Sequence, residues 1–88
     1  MRSQYDPAKA AENLEKHKVS FADAEGVLHD PLALTVEDPD AQGERRFVAV
    51  GLGSAGDLLV VVYTWRGEEI RLISARRASA KERRRYES

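Results

Sequence analysis

Arginines crowd the last third of this 88-residue chain. An alternating run, Ile70-Arg71-Leu72-Ile73-Ser74-Ala75-Arg76-Arg77, leads into a basic segment holding Lys81, Arg83, Arg84, Arg85 and Tyr86. Guanidinium groups fixed on regular structure can grip phosphate in a two-pronged geometry. Cutting RNA without a metal requires a group that activates the ribose 2′-hydroxyl. It also requires fixed positive charge on the phosphorane-like transition state and an acid for the leaving oxygen. Arginines supply the charge, and His17, Tyr86 or Glu12 can handle protons. Tyr63, Trp65 or Tyr86 can stack a base of single-stranded RNA. Each group also has a structural reading: the arginines can pair with acids of the first helix, and His17 can simply end a helix. Strand parity adds a constraint. Arg71 and Arg77 share one face of a regular strand, and Arg76 points with Ser74 to the other, so all three arginines cannot line one surface.

Other chemistries find less support. His17 and His29 are the only histidines and no ligand spacing joins them, while the acids of residues 37–44 lack the ordered spacing of a calcium loop, so neither metal nor cofactor is expected. Gly51-Leu52-Gly53-Ser54-Ala55-Gly56 spells G-x-G-x-x-G, but it falls between two strands rather than before a helix, and reads as a turn. No serine sits in a nucleophile-elbow context.

The elements that must position these groups follow from local signals. Asp6-Pro7 caps a helix running to about His17 or Lys18, with a thin apolar stripe of Ala10, Ala11 and Leu14. Ser20 and Asp23 open a second helix bearing Phe21, Ala24, Val27 and Leu28, which stops at Asp30-Pro31. The period then changes to two. Short strands are predicted over 32–36, 46–52, 58–65 and 69–76, the third apolar at nearly every position and therefore central. Ser79 and Glu82 form a capping box for a final helix to about Glu87. A further strand at residues 2–5 is possible but composed of weak strand formers. The expectation is one α+β domain over residues 1–88: two N-terminal helices, a three- to four-stranded antiparallel meander and a short C-terminal helix. Leu14, Phe21, Val27, Leu28, Val48, Val50, Leu59, Val61, Leu72 and Ile73 are predicted to form its core.

Composition bounds the setting. There is no cysteine, hence no disulfide framework or thiolate site. No apolar run approaches the ~18 residues of a membrane helix, and the first residues carry no apolar signal core. A cytoplasmic protein without membrane contact is expected. Net charge is −1 but unevenly spread: residues 1–44 hold 4 Lys/Arg against 10 Asp/Glu, and residues 45–88 hold 10 against 5. Such polarity suits a polyanion on one face and a basic partner on another, or an unevenly charged solvated surface.

Nearly end to end, the chain resembles the BrnT family of type II toxins. The match is carried by Tyr5-Asp6-Pro7-Ala8-Lys9-Ala10 with Asn13, Lys16-His17, Val19-Ser20-Phe21-Ala22 and Asp30-Pro31-Leu32-Ala33. It continues through Glu44-Arg45-Arg46-Phe47-Val48, Leu58 to Thr64 with Arg66, Ile70 to Ala78, and Glu82-Arg83 with Tyr86. The resemblance implies a RelE-like fold and a ribonuclease that blocks translation. It also implies a cognate BrnA-type antitoxin, through whose DNA-binding domain alone the complex meets operator DNA. Motif positions here are Lys16, His17, Arg66, Arg71, Ser74, Arg76, Glu82 and Tyr86. Tyr5 replaces the usual tryptophan. Lys18 stands where a glycine usually ends the first helix, which argues against a left-handed cap there.

The reading is a metal-independent endoribonuclease toxin. Arg71 and Arg76 are expected to hold the phosphate, His17 to move the proton and Lys16 to add charge, with RNA contacts from Arg66, Ser74, Arg77, Lys81 and Tyr86. The alternative is a binding module that has lost cleavage and serves its antitoxin as co-repressor scaffold.

Overall fold

The computed structural model describes residues 2–88, Arg2 by its backbone. The elements are β1 (Arg2–Gln4), α1 (Pro7–His17), α2 (Phe21–Leu28), β2 (Leu34–Glu37), β3 (Phe47–Leu52), β4 (Leu58–Arg66), β5 (Glu69–Arg77) and α3 (Ala80–Glu87). The strands form one sheet in the order β1-β5-β4-β3-β2. The α+β class expected from the sequence holds, but the sheet is larger than a four-stranded meander. β2 to β5 are antiparallel, and β1 adds a fifth strand parallel to β5, pairing Ser3 with Ile70. No helix among the described residues is long and apolar enough to cross a membrane.

The helix ends obey their caps. The Asp6 carboxylate accepts the Ala8 N–H (2.9 Å), and the Ser20 hydroxyl accepts that of Asp23 (3.0 Å). Ser79 and Glu82 close a complete capping box at the start of α3. One end departs from expectation. Lys18 takes the left-handed conformation (φ 60°, ψ 30°) that glycine favours, and its N–H bonds the Leu14 carbonyl at 3.0 Å. A side chain in that conformation costs about 1 kcal/mol or more, which the surrounding packing must offset.

α2 packs on one face of the sheet. Val19, Phe21, Ala24 and Val27 meet Ala49, Leu59, Val61, Tyr63, Ile70, Leu72 and Ala75, all buried. Each large aliphatic side chain so enclosed contributes about 1.5–3 kcal/mol. The expected burial of Phe21, Val27, Leu59, Val61 and Leu72 is observed. Leu28, Val48, Val50 and Ile73 are only half-buried, and Leu14 is 51% exposed. The reason for Leu14 is the placement of α1. The helix lies against the edge of β5 beyond the reach of β1, and it meets the sheet through Ala10 and Asn13 instead. α3 lies over the opposite sheet face at its β2–β3 end, where Glu82 and Arg85 border a groove floored by Leu34, Val36, Val48 and Val50.

β5 carries the feature that matters most for the site. Val62 pairs with Ser74 but Tyr63 pairs with Leu72, so Ile73 is an extra residue, a β-bulge. Before the bulge Ile70 and Leu72 enter the core; after it Ala75 does. Parity is reset by one. Arg71, Ser74 and Arg76 now share the face of their β4 partners Thr64, Val62 and Val60, while Arg77 goes with Leu59 to the other.

Candidate active site

A cleft of about 550 Å³ opens between α1 and the bulged part of β5. Lys9, Glu12, Lys16 and His17 enter it from one stripe of α1, at spacings of three, four and one residues along the helix. Ile73 and Ser74 enter from the sheet. His17 is half-buried as the last residue of α1, and Lys16 beside it is exposed.

Asn13 joins the two walls. It is 6% exposed, and its amide makes three hydrogen bonds. Nδ2 donates to the carbonyls of Val19 (2.9 Å) and Ala75 (2.8 Å), and Oδ1 accepts the Ala75 N–H (3.0 Å). The side chain thus pairs with β5 as a neighbouring strand would, where β1 has ended. It fixes the backbone between Ser74 and Arg76 against the helix that carries His17. The resemblance included Asn13, but no role was read for it. The available signal was its place among the apolar positions of the first helix, three residues after Ala10 and four before His17.

Arg71 and Arg76 flank Ser74 on the same sheet face, an arrangement that only the bulge permits. Arg71 is half-buried. Its Nε is enclosed without a hydrogen-bond partner, and Arg71 forms no ion pair among the described residues. Arg76 forks the Glu82 carboxylate, Nη1 to Oε1 at 2.9 Å and Nη2 to Oε2 at 2.8 Å, and Nη1 also donates to the Arg77 carbonyl at 3.2 Å. The guanidinium of Arg76 and the capping hydrogen bonds at Ser79 pull the Glu82 carboxyl down to about 2, and the same pair raises Arg76. The Arg76 side chain nevertheless remains 46% exposed.

Of the predicted site residues only Lys16, His17 and Ser74 line the cleft; Arg71, Arg76 and the remaining predicted RNA contacts do not. Arg66 pairs with Glu44 (3.2 Å) and Arg77 with Asp57 (3.2 Å), both on exposed side chains. Lys81 is exposed on the first turn of α3 and makes no ion pair among the described residues. The Tyr86 hydroxyl donates to Asp30 Oδ2 at 2.6 Å, which raises the phenol and lowers the carboxyl. Asp30 also accepts the N–H groups of Leu32 and Leu52 at 2.9 Å, so Tyr86 moors the end of α3 to the start of β2. The stacking candidates Tyr63 and Trp65 are likewise placed elsewhere. Tyr63 is buried on the α2 face, stacked on Phe47 (5.7 Å between centroids), and half-exposed Trp65 borders a small hollow with Phe47 and Arg45. No three His, Cys, Asp or Glu residues gather to hold a metal ion among the described residues.

The family model described as the ribonuclease toxin BrnT of a type II toxin-antitoxin system matches residues 5–82. A 1.1 Å crystal structure of the Brucella abortus ribonuclease toxin BrnT superposes with a TM-score of 0.65 at 26% identity, covering 90% of this chain and 99% of that one. No curated protein sequence matches the chain.

Proposed function

The chain belongs to the BrnT family of ribonuclease toxins of type II toxin-antitoxin systems, and from that premise we propose that it cleaves RNA without a metal, at the cleft between α1 and β5. The observation that supports this reading is the bulge at Ile73, which sets Arg71, Ser74 and Arg76 on one sheet face, with Ser74 lining the cleft that Lys16 and His17 enter. In the proposed reaction His17, as neutral imidazole, takes the proton of the ribose 2′-hydroxyl. The freed oxygen attacks phosphorus, and the bond from phosphorus to the 5′-oxygen breaks. The products are a 2′,3′-cyclic phosphate and a 5′-hydroxyl, the latter completed by a proton from a second acid or from water. Arg71 and Arg76 hold the charge that builds on the non-bridging oxygens, Lys16 adds to it, and Ser74 donates a hydrogen bond. Metal independence is favoured by this donor set, in which guanidinium groups carry the charge a cation would otherwise supply.

Arg66, Arg77 and Lys81 are read as outer contacts to flanking phosphates. The exposed ion pairs of the two arginines are worth little, so a phosphate competes for them readily. Tyr86 contacts RNA only by giving up Asp30. The neutralising protein is proposed to be a BrnA-type antitoxin acting in the cytoplasm, with operator DNA reached only through it.

Arg76→Ala should lower cleavage of a single-stranded RNA about 10²–10³-fold in buffer containing EDTA, with an unchanged far-UV circular dichroism spectrum. Full activity in a folded Arg76→Ala protein removes Arg76 from the site, and loss of wild-type activity in EDTA removes metal independence. The scaffold reading draws on a different observation: Glu82 already neutralises Arg76. Folded wild-type protein that binds its antitoxin but leaves RNA intact would establish that reading instead.

A further inference from the structure

Among the described residues the exposed large hydrophobic side chains gather mainly at one edge of the sheet, with Tyr5, Leu14 and Trp65 lying elsewhere. Leu32 (69%), Leu34 (42%), Val36 (59%) and Leu52 (44%) lie on or beside β2. All four residues of β2 are exposed, and the strand forms the sheet edge opposite β1. Its outer N–H and C=O groups therefore face outward in a row, the template on which another strand can pair. Leu34-Thr35-Val36 holds no charge and no proline, and the one charged residue of the strand, Glu37, sits at its end paired with Arg45.

The surroundings say what kind of strand would fit. Leu34 and Val36 share a face with Val50 and Val48, and together they floor a groove of about 140 Å³ whose far bank is α3. Arg85 stands on that bank. Arg84 and Arg85 are both exposed and make no ion pair among the described residues. Glu82, the acid of the same bank, is already taken by Arg76. The tie between Tyr86 and Asp30 holds this end of α3, and with it Arg85, near the Leu34 end of β2.

We propose that the antitoxin docks on β2 through an extended segment that becomes a sixth strand. It lays apolar side chains over Leu34 and Val36 and sets a carboxylate against Arg85, with Arg84 behind it adding to the positive charge of the bank. This rests on the toxin-antitoxin reading for the existence of the partner; the surface and its chemistry come from the fold. Charge selects this occupant over a second copy of the chain. Antiparallel pairing of two β2 strands follows a two-fold axis through the sheet, which sets both basic α3 helices on the same face, arginines facing arginines. An acidic strand converts that repulsion into pairing.

The test measures binding of the purified antitoxin encoded beside this gene to full-length toxin, together with amide hydrogen exchange of the toxin. Wild type should show slowed exchange within residues 34–37 when the antitoxin is bound. Val36→Lys should weaken binding at least 100-fold, and Arg84→Glu/Arg85→Glu at least 10-fold with a loss of salt dependence. Both variants should keep the wild-type melting temperature and RNA cleavage, since none of these residues belongs to the cleft. Unchanged affinity in both variants, protection confined to other strands, or no binding by wild type overturns the proposal. So does self-association of wild type that Val36→Lys abolishes while antitoxin affinity stays. Affinity lost in the variants while wild type cleaves no RNA would sink the ribonuclease reading and leave this one standing.

Discussion

Asn13→Ala is the substitution with the largest consequence for so small a change in volume. It removes three hydrogen bonds, and it leaves the Val19 carbonyl and both backbone groups of Ala75 without their partner. A typical intramolecular hydrogen bond contributes about 0.5–1.5 kcal/mol net, and a buried group left unpaired costs about 1–3 kcal/mol. Water entering from the cleft that Asn13 borders recovers part of this, so we expect a loss of about 2–4 kcal/mol. Leu14→Ala, one residue on, removes a side chain that is half in solvent and should cost less than about 1 kcal/mol. Urea unfolding of the two variants measures the contrast directly. Asn13→Asp sharpens it. The carboxylate keeps the bond from the Ala75 N–H but turns an oxygen toward two carbonyls, so stability should fall at neutral pH. Part of the loss should return at low pH, as the protonated acid donates once more. A Leu14→Ala cost above that of Asn13→Ala would refute the placement of α1 on the edge of β5. In the stable fraction of Asn13→Ala, turnover should fall more than RNA affinity, because His17 and Ser74 lose their common anchor.

Glu82 gives the stability curve its acid limb. Its folded value of about 2 lies below the ordinary 4.5. The contribution is therefore complete above about pH 4.5 and fades as pH falls toward 2. At about 1.4 kcal/mol per unit the shift has a ceiling of about 3.5 kcal/mol, and the half-exposed Arg76 partner reduces this to about 1–2 kcal/mol through solvent screening. Urea midpoints of wild type and Glu82→Gln should converge between pH 4.5 and 2.5; curves that stay parallel count against the ion pair. Gly26→Ala tests the seat of α2. A Cβ there would lie 2.7 Å from the Gly53 carbonyl carbon and collide with the Ser54 backbone, which is itself held by a 3.0 Å bond to the Asp23 carbonyl. Despite the gain of about 1 kcal/mol in helix propensity, we expect a net loss of about 1–3 kcal/mol by thermal unfolding.

What could be read in advance was what is locally determined. Asp6-Pro7, Ser20 with Asp23, and Ser79 with Glu82 each fix a helix start through bonds that span two or three residues, and all three helices begin where those signals stand. The long apolar run of β4 marked it as central for a similarly direct reason. The failures are non-local. β1 is three residues long and exists through its pairing with β5, more than sixty residues away. Leu14 belongs to the apolar stripe of α1, yet it stays half in solvent because α1 sits on the edge of β5 and not flat on the sheet. Glu82 was recognised as a capping acid, but its second engagement with Arg76 depends on how α3 folds back toward β5. In the site, His17, Lys16 and Ser74 stand out in the sequence as separate motif positions, and the fold brings the three to one cleft. Whether Arg71 and Arg76 share a face could not be decided by counting alternation. The two consecutive apolar residues Leu72-Ile73 were the visible break in that count, and they mark the bulge.

Placement of charge on this strand thus depends on a tally of residues as much as on their identities. Inserting one residue in β4 opposite Ile73 would keep every arginine and the serine, yet by giving Ile73 a partner it would straighten the ladder, put Ser74 and Arg76 on the face of Leu72 and set Arg77 on that of Arg71 in their stead. Such a frameshift confined to one strand would silence the cleft without touching any proposed functional group. Aligning homologues here by matching letters, with a gap slid one place either way, would exchange inside for outside.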